Sequence, residues 1–355
     1  MNGLLPQIPN QPPYPPYIPV YTPEQQERMA IKKSANLCSI GFLTLVIAPF
    51  AIGFLLGILL LFIPWLRNIL STDFGRLFLN LIITVPLFTV PFYIAALHSG
   101  VPMNDIFRFG KAKKKTVLPL TLTGFGLFAL GEYATNIIGT TLRVFDLEPT
   151  VDIPGPSPGI WGSLFYMVAL AAVPALVEEF AFRGMVLGVL RRFGDFFAIL
   201  VSALFFALMH GNLVQAPFAF IIGLALGYAV VASGSIWPAV IIHFLNNFMV
   251  SLLNIIGSVS DTQSQHMIEM IYMFTVLMLG VAGILMLALR DRQFMKLDTH
   301  GSVLSDKDKV TAFCHAGGVL AVIICFSVMM FISLLIPQLT AHTKHLREAG
   351  TVFVL

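Results

Sequence analysis

Two adjacent glutamates and an arginine lie in the middle of a long apolar stretch of this sequence. They are Glu178, Glu179 and Arg183, within VPALVEEFAFRGMVLGVLRR. Residues four apart share one face of a helix, so Glu179 and Arg183 are predicted to form an ion pair. Adjacent residues point about 100° apart, which leaves Glu178 free for a different task. Pro174 is expected to kink the helix just before the acids.

Two later apolar segments carry polar side chains that suit acid–base chemistry. His210 ends the segment FALMH, and Phe206 precedes it by one helical turn. In HFLNN, His243 and Asn247 are four apart and share a helix face, whereas Asn246 is rotated about 100° from Asn247 and would face elsewhere. The sequence therefore predicts that a histidine and a histidine–asparagine pair project from two different helices.

These groups are predicted to lie at a similar depth. At 1.5 Å per residue, Glu178 and His210 are about 20 Å from the chain reversals that flank them, and His243 and Asn247 about 12 to 18 Å from theirs. An ionisable side chain in hydrocarbon costs roughly 2.5–3.5 kcal/mol, so each one marks a functional hypothesis. Glu132 is a further glutamate in an apolar stretch. We predict one shared polar site built by three helices.

The residue types favour activation of a water molecule. Surrounded by apolar side chains, the Glu178 carboxylate is a usable general base, helped by His210. The N–H donors of His243 and Asn247 would stabilise a tetrahedral oxyanion, at about 3–4 kcal/mol per donor. The predicted ion pair would hold the catalytic carboxylate in position. No serine or cysteine accompanies the histidines at a spacing suited to nucleophilic catalysis.

The composition places this chemistry in a membrane. Of 355 residues, 57% are hydrophobic and only 11% are charged, whereas soluble domains carry about a quarter charged residues. This excludes a soluble cytoplasmic enzyme, a nucleic-acid-binding protein and a disordered chain. The apolar runs have spanning length and lack dyad alternation, which predicts an all-α, polytopic helical membrane protein with about eight or nine transmembrane helices. The predicted spans are 38–64, 76–98, 116–138, 160–190, 196–212, 214–232, 236–256, 268–289 and 313–336.

The chain divides into four parts. Residues 1–35 are predicted to form a proline-rich flexible tail, 36–158 the N-terminal transmembrane helices, 159–256 the catalytic core, and 257–355 the C-terminal transmembrane helices and a second tail. Basic clusters flank alternate spans, and the intervening loop 139–158 is acid-biased. The positive-inside rule therefore predicts a multi-pass protein whose N-terminus and KAKKK loop (111–115) are cytoplasmic.

Three segments together resemble the CPBP family of intramembrane proteases, which includes CAAX proteases and bacteriocin-processing enzymes. EEFAFR (178–183), FALMH (206–210) and HFLNN (243–247) correspond in order to the family motifs EExxxR, FxxxH and HxxxN. The resemblance implies an endopeptidase, and its best-known members remove the last three residues of prenylated CAAX proteins. Carried over, Glu178 is the activating carboxylate, His210 its partner, and His243 with Asn247 the oxyanion donors of a metal-free glutamic peptidase.

Three alternatives remain open from the sequence. A zinc protease would use Glu178, His210 and His243 as ligands, although Asn247, a poor zinc ligand, argues against it. A transporter or channel would need polar residues along several helices rather than at one depth. A non-catalytic scaffold would bind the same class of partner. That partner is predicted to be a hydrophobic or lipidated peptide or protein that enters from the bilayer, and no nucleic acid is expected.

Overall fold

The fold is a bundle of helices with an apolar exterior. The computed structural model describes residues 21–145, 147, 155–290, 294–332 and 334, and within these ranges it contains helices and no strand, which confirms the predicted all-α class. The helices are α1 Pro23–Phe62, α2 Pro64–Leu70, α3 Asp73–His98, α4 Met103–Ile106, α5 Lys114–Val144, α6 Gly159–Phe193, α7 Asp195–Met209, α8 Gln215–Ser233, α9 Trp237–Gly257, α10 Thr262–Arg290, α11 Asp306–Cys314 and α12 Gly317–Ile332.

Seven of the described helices are long and apolar enough to cross a membrane, or eight if α11 and α12 count as one bent span. The predicted span 196–212 corresponds to α7, which has 15 residues. These residues rise about 22 Å, less than the roughly 30 Å of a hydrocarbon core. The predicted span 313–336 starts at the 74° bend between α11 and α12, and α12 forms most of its described part. Residues 333, 335 and 336 of that span lie outside the described residues.

The first helix begins inside the segment predicted as a flexible tail. α1 starts at Pro23, where Thr22 accepts a hydrogen bond from the Gln25 N–H while the Gln25 side chain accepts one from the Thr22 N–H. This reciprocal capping box, with Pro23 in the first turn, is a strong start signal for a helix. The predicted tail boundary at residue 35 is therefore wrong. The rest of that tail, 1–20, lies outside the described residues, as do 146 and 148–154 of the acid-biased loop.

The central helix α6 departs from α-helical geometry twice. It contains π-helical turns at Val168–Ala172 and Phe180–Val186, on either side of the α-helical stretch Val173–Glu179. Pro174 lacks the N–H that an α-helix would use, so the disturbed hydrogen bonding lies just before it, as the sequence predicts. The second π turn contains Arg183. π-turns are frequent at functional sites because they change the direction of individual side chains.

Small residues let the helices around the site approach closely. A Cβ on Gly126 of α5 would lie 2.5 Å from the Cα of Gly280 on α10, and one on Gly223 of α8 would lie 2.9 Å from the Cα of Ala203 on α7. Contacts of this kind replace the hydrophobic drive that is missing between helices in lipid. They fix the rotation of α7 and α8, and hence the direction of the side chains that these helices contribute.

The predicted basic clusters come together at one end of the bundle. Arg28 pairs with Asp308 at 2.8 Å, which joins the start of α1 to α11. At the same end, the Arg192 Nη2 donates to the Ser34 Oγ at 2.8 Å, and the Arg290 Nη1 donates to the Lys115 carbonyl at 3.1 Å. The side of the membrane that this end faces stays a prediction.

Candidate active site

Glu179 lies at the centre of the polar cluster. Its side chain is fully buried, and one oxygen, Oε1, accepts hydrogen bonds from the Arg183 Nη1 at 3.0 Å and from the His243 Nδ1 at 2.8 Å. The predicted Glu179–Arg183 pair is therefore formed. The contact with His243 joins α6 to α9. Because the paired carboxylate is an acceptor, the proton of this hydrogen bond lies on His243 Nδ1.

Arg183 is held on three sides inside the bundle. Besides its bond to Glu179, its Nη2 donates to the Gly223 carbonyl at 3.1 Å, and its Cζ lies 4.3 Å from the centre of the Phe206 ring. A guanidinium over an aromatic face gains cation–π attraction, which is stronger where water is excluded. The buried arginine thus binds α6 to both α7 and α8.

The Phe206 ring also contacts both histidines. Its centre lies 5.2 Å from the His210 ring and 5.6 Å from the His243 ring, both nearly perpendicular to it. The His210 Nδ1–H donates to the Phe206 carbonyl at 2.9 Å. Each histidine therefore has Nδ1 engaged in a hydrogen bond, which leaves Nε2 as its remaining ring nitrogen. The sequence placed Phe206 in a motif but gave no reason for it, and in the structure its ring contacts both imidazoles and the Arg183 guanidinium.

Glu178 has surroundings different from those of its neighbour. Its side chain is 14% exposed, against 0% for Glu179, and it lines a cavity of about 200 Å³ between α3 and α6. Its Oε2 lies 3.9 Å from the His243 Nε2. The two adjacent carboxylates therefore contact opposite nitrogens of one imidazole, and only Glu178 also reaches open space.

Two polar residues in this cavity were missed from the sequence. Asn80 and Thr84 on α3 line it together with Glu178, and the Thr84 Oγ1 donates to the Asn80 Oδ1 at 2.6 Å. The available signal was a polar pair four residues apart in the otherwise apolar FLNLIITVP. That spacing shows that the two residues share a face of α3, but it does not say which helix the face meets.

The other polar residues considered from the sequence differ in burial and in partners. Asn247 is half-buried, one turn beyond His243 on α9. Asn246 is 2% exposed, and neither its amide nitrogen nor its amide oxygen has a partner among the described residues. Glu132 lies apart, on α5, where it interacts electrostatically with Glu269 of α10.

The zinc alternative does not fit this arrangement. In the part of the chain that the structure describes, no three His, Cys, Asp or Glu side chains converge closely enough to hold a metal ion. The Glu178 Oε2 and the His243 Nε2 lie 3.9 Å apart, but His210, the third predicted ligand, does not complete such a group with them. We therefore derive no catalytic step through a metal.

The comparison with known families matches the segment that builds this cluster. Residues 160–249 match the family model described as Type II CAAX prenyl endopeptidase Rce1-like. The match contains EEFAFR, FALMH and HFLNN, and it confirms the resemblance to the CPBP and CAAX protease family over these residues. No curated protein and no solved structure has significant similarity to the chain.

Proposed function

We propose, from a segment that matches a family of type II CAAX prenyl endopeptidases, that this protein is an intramembrane endopeptidase. It hydrolyses a peptide bond near the C-terminus, or in a membrane-proximal segment, of a hydrophobic or lipidated, CAAX-like substrate. The nucleophile is a water molecule activated by Glu178 and His210, and His243 with Asn247 forms the oxyanion hole. No metal takes part, which makes the enzyme a glutamic peptidase.

The observation that carries this proposal is the unequal environment of the two adjacent glutamates. Glu179 is fully buried and is bonded to Arg183 and His243, so its charge is already compensated. Glu178 lines the cavity and keeps part of its carboxylate accessible. A general base must reach the water that it deprotonates, and of the two only Glu178 does so.

The chemical step follows from this division. Glu178 takes a proton from water, and the hydroxide oxygen attacks the carbonyl carbon of the scissile bond. The proton then passes from Glu178 to the amide nitrogen as the C–N bond breaks, which yields a carboxylic acid and an amine, and the acid then loses its proton to the amine or to water. His210 presents its free Nε2 as the second group that orients the water. Its engaged Nδ1 fixes the orientation of the ring.

Stabilisation of the oxyanion is assigned to His243 and Asn247. Because His243 already donates Nδ1–H to Glu179, its second donor is Nε2–H, which is present when the ring carries both protons. The amide of Asn247 supplies a neutral donor one turn along the same helix.

The cavity suggests how substrate reaches the base. Asn80 is exposed on α3, so the cavity that begins at Glu178 extends to the outside of the bundle. The Thr84 hydroxyl donates a hydrogen bond to the Asn80 Oδ1. The Asn80 Nδ2 is then the group that donates to a carbonyl of an extended peptide. Leu77, Leu81 and Phe88 line the same cavity and suit an apolar side chain.

The deciding experiment is cleavage of a fluorogenic lipidated peptide by the purified protein, with and without exhaustive chelation. We expect turnover to survive chelation, and metal analysis to find well under one equivalent of zinc. Turnover that disappears with chelator and returns with zinc would favour the metalloprotease mechanism at the same site. The Glu178→Gln variant, purified in the same way, is the control for cleavage by contaminating proteases.

The same assay decides against the non-enzymatic alternatives. A transporter or a non-catalytic scaffold built on this buried cluster would bind the peptide without cleaving it, so wild type and Glu178→Gln would give equal signals. Mass spectrometry of the products then locates the cut bond. A new C-terminus in the substrate is expected in the wild-type reaction alone.

A further inference from the structure

A second cavity, larger than the one that Glu178 lines, lies at the basic end of the bundle. Its volume is about 1560 Å³, and it is enclosed by the start of α5, the ends of α8 and α10, the junction of α6 with α7, and the segment 294–299. Ligand pockets in proteins typically measure about 300–1,000 Å³. This space is therefore larger than a single small metabolite requires.

The cavity lining is strongly basic. Six cationic side chains line it against two carboxylates, and the cations are Lys113, Lys114, Lys115, Arg191, Arg290 and Lys296. Asp195 and Asp298 are the two acids. Asp195 already accepts hydrogen bonds from Arg191, His300 and the Asp298 N–H, so it does not neutralise the lysines. In the described ranges, none of the four lysines forms an ion pair.

Two further features of the lining favour an anion. Arg191 has a 13% exposed side chain whose Nε binds Asp195 at 2.6 Å, while its Nη1 is buried and has no partner among the described residues. The start of α5 also opens on this cavity, and no side chain caps that helix. Uncapped N–H groups and the positive end of the helix dipole attract negatively charged groups, phosphates above all.

Another part of the cavity wall is apolar. Val231 and Ala232 in the last turns of α8, Leu287 near the end of α10, and Phe294 and Leu297 beyond it line the space together with the basic groups. A free phosphate would gain nothing from this wall. An amphiphile with a phosphate at one end and hydrocarbon at the other would contact both sides.

We propose that this cavity binds the phosphate-bearing headgroup of an anionic phospholipid, with the first part of its acyl chains against the apolar wall. The lysines contact the phosphate. Basic clusters at the membrane surface attract anionic lipids by about 1 kcal/mol for each Lys or Arg, and basic pockets between helices bind such headgroups. This binding is independent of proteolysis and goes beyond the proposed function.

The test is thermal unfolding of the purified full-length protein in a neutral detergent. The probes are dioctanoyl phosphatidylglycerol, dioctanoyl phosphatidylcholine and pyrophosphate, each titrated separately. We expect phosphatidylglycerol to raise the melting temperature saturably and phosphatidylcholine to have no comparable effect. Pyrophosphate that matches phosphatidylglycerol at equal concentration would overturn the lipid assignment in favour of a free phosphate compound.

Charge-neutralising variants locate the site. Lys113, Lys114 and Lys115 are exposed, so a triple Lys→Gln variant should fold, and we expect its half-saturating lipid concentration to rise at least tenfold. Lys296→Gln, a single change on another wall, should raise it by about 3–5-fold, close to the 1 kcal/mol expected per lysine. The matched control is Lys32→Gln with Lys33→Gln, two exposed lysines of α1 outside the cavity. An equal loss in this control, or no lipid effect on the wild type, would overturn the proposal.

Discussion

Glu179 and His243 are 64 residues apart in sequence and are joined by a 2.8 Å hydrogen bond between Oε1 and Nδ1. The same oxygen binds Arg183, so the arginine, the carboxylate and the imidazole form one chain of charge-assisted hydrogen bonds. The sequence suggested that Glu179 supports its neighbour Glu178. Its contacts show that it also binds His243, and that Glu178 meets the other nitrogen of the same ring.

Breaking this chain should reduce both stability and rate. Arg183→Ala leaves the buried Glu179 charge uncompensated, a change that costs about 3–5 kcal/mol in buried ion pairs. Glu179→Gln leaves the buried Arg183 charge uncompensated in the same way, so we expect a comparable loss of stability and of kcat. Melting temperatures in detergent, measured beside peptide cleavage, test this. Two unchanged melting temperatures would show that the pair does not contribute to stability.

Replacement of Glu178 should abolish activity and leave the fold intact. Glu178→Gln removes the base from a cavity-lining position whose contact with His243 is long, at 3.9 Å, so we expect kcat to fall at least 10³-fold and the melting temperature to stay within about 2 °C. Glu132→Gln is the matched control, an intramembrane glutamate on α5 outside the cavity. Near-wild-type turnover in Glu178→Gln would refute the assignment of the base.

Replacing each of the two adjacent asparagines of α9 should have a different effect on kcat. Asn247→Ala is expected to lower kcat by about 10²–10³-fold with little change in KM, because an oxyanion donor acts mainly in the transition state. Asn246→Ala removes a buried amide that has no partner among the described residues, so kcat should change less than threefold. If the two effects were reversed, the donor role would belong to Asn246.

Asn80 should affect substrate binding more than chemistry. Asn80→Leu removes a donor from the cavity, and we expect KM to rise by about 3–10-fold, the worth of one hydrogen bond, with kcat nearly unchanged. Thr84→Val frees the Asn80 amide to rotate and should give part of that effect. Thr89→Val is the control, since the hydroxyl of Thr89 binds the Val85 carbonyl on the same helix and is not part of the cavity. Equal effects of the two threonine variants would contradict this role.

The surroundings of Asp195, at the basic end of the bundle, predict that the stability of the fold depends on pH. Burial raises the pKa of this carboxyl, but hydrogen bonds from the Asp298 N–H, His300 and Arg191, together with the Arg191 charge, outweigh burial and lower the pKa below its usual range. A carboxylate with a lowered folded-state pKa stabilises the fold above its unfolded pKa of about 3.9, and that contribution is lost as pH falls through the folded value.

Comparison with Asp195→Asn measures this contribution. The variant should be less stable by about 1–3 kcal/mol at pH 7, because it leaves buried donors without an anionic acceptor. The difference in melting temperature between wild type and variant should stay constant from pH 7 to pH 5 and shrink below about pH 4. A constant difference down to pH 3 would show that the ionised form of Asp195 is not what stabilises the fold.

Spacing within one helix let the sequence predict part of the site. Residues 179 and 183 must share a face of any helix that contains both, so the ion pair followed from the sequence alone. The match to a protease family followed from three short motifs, and the all-α class from the length of the apolar runs. The capping box that begins α1 at Pro23 was missed from the sequence, although it too depends only on residues that are close together in the chain.

Contacts between helices were decided only by the tertiary structure. A helix rotated by some tens of degrees keeps its own spacing but presents different side chains to its neighbour, and that rotation depends on close packing at points such as Gly126 with Gly280. The bond from Glu179 to His243 and the cavity shared by Glu178 and Asn80 depend on it. The sequence thus determined which polar groups are buried in the membrane, whereas the packing of glycines and rings decided which of them touch.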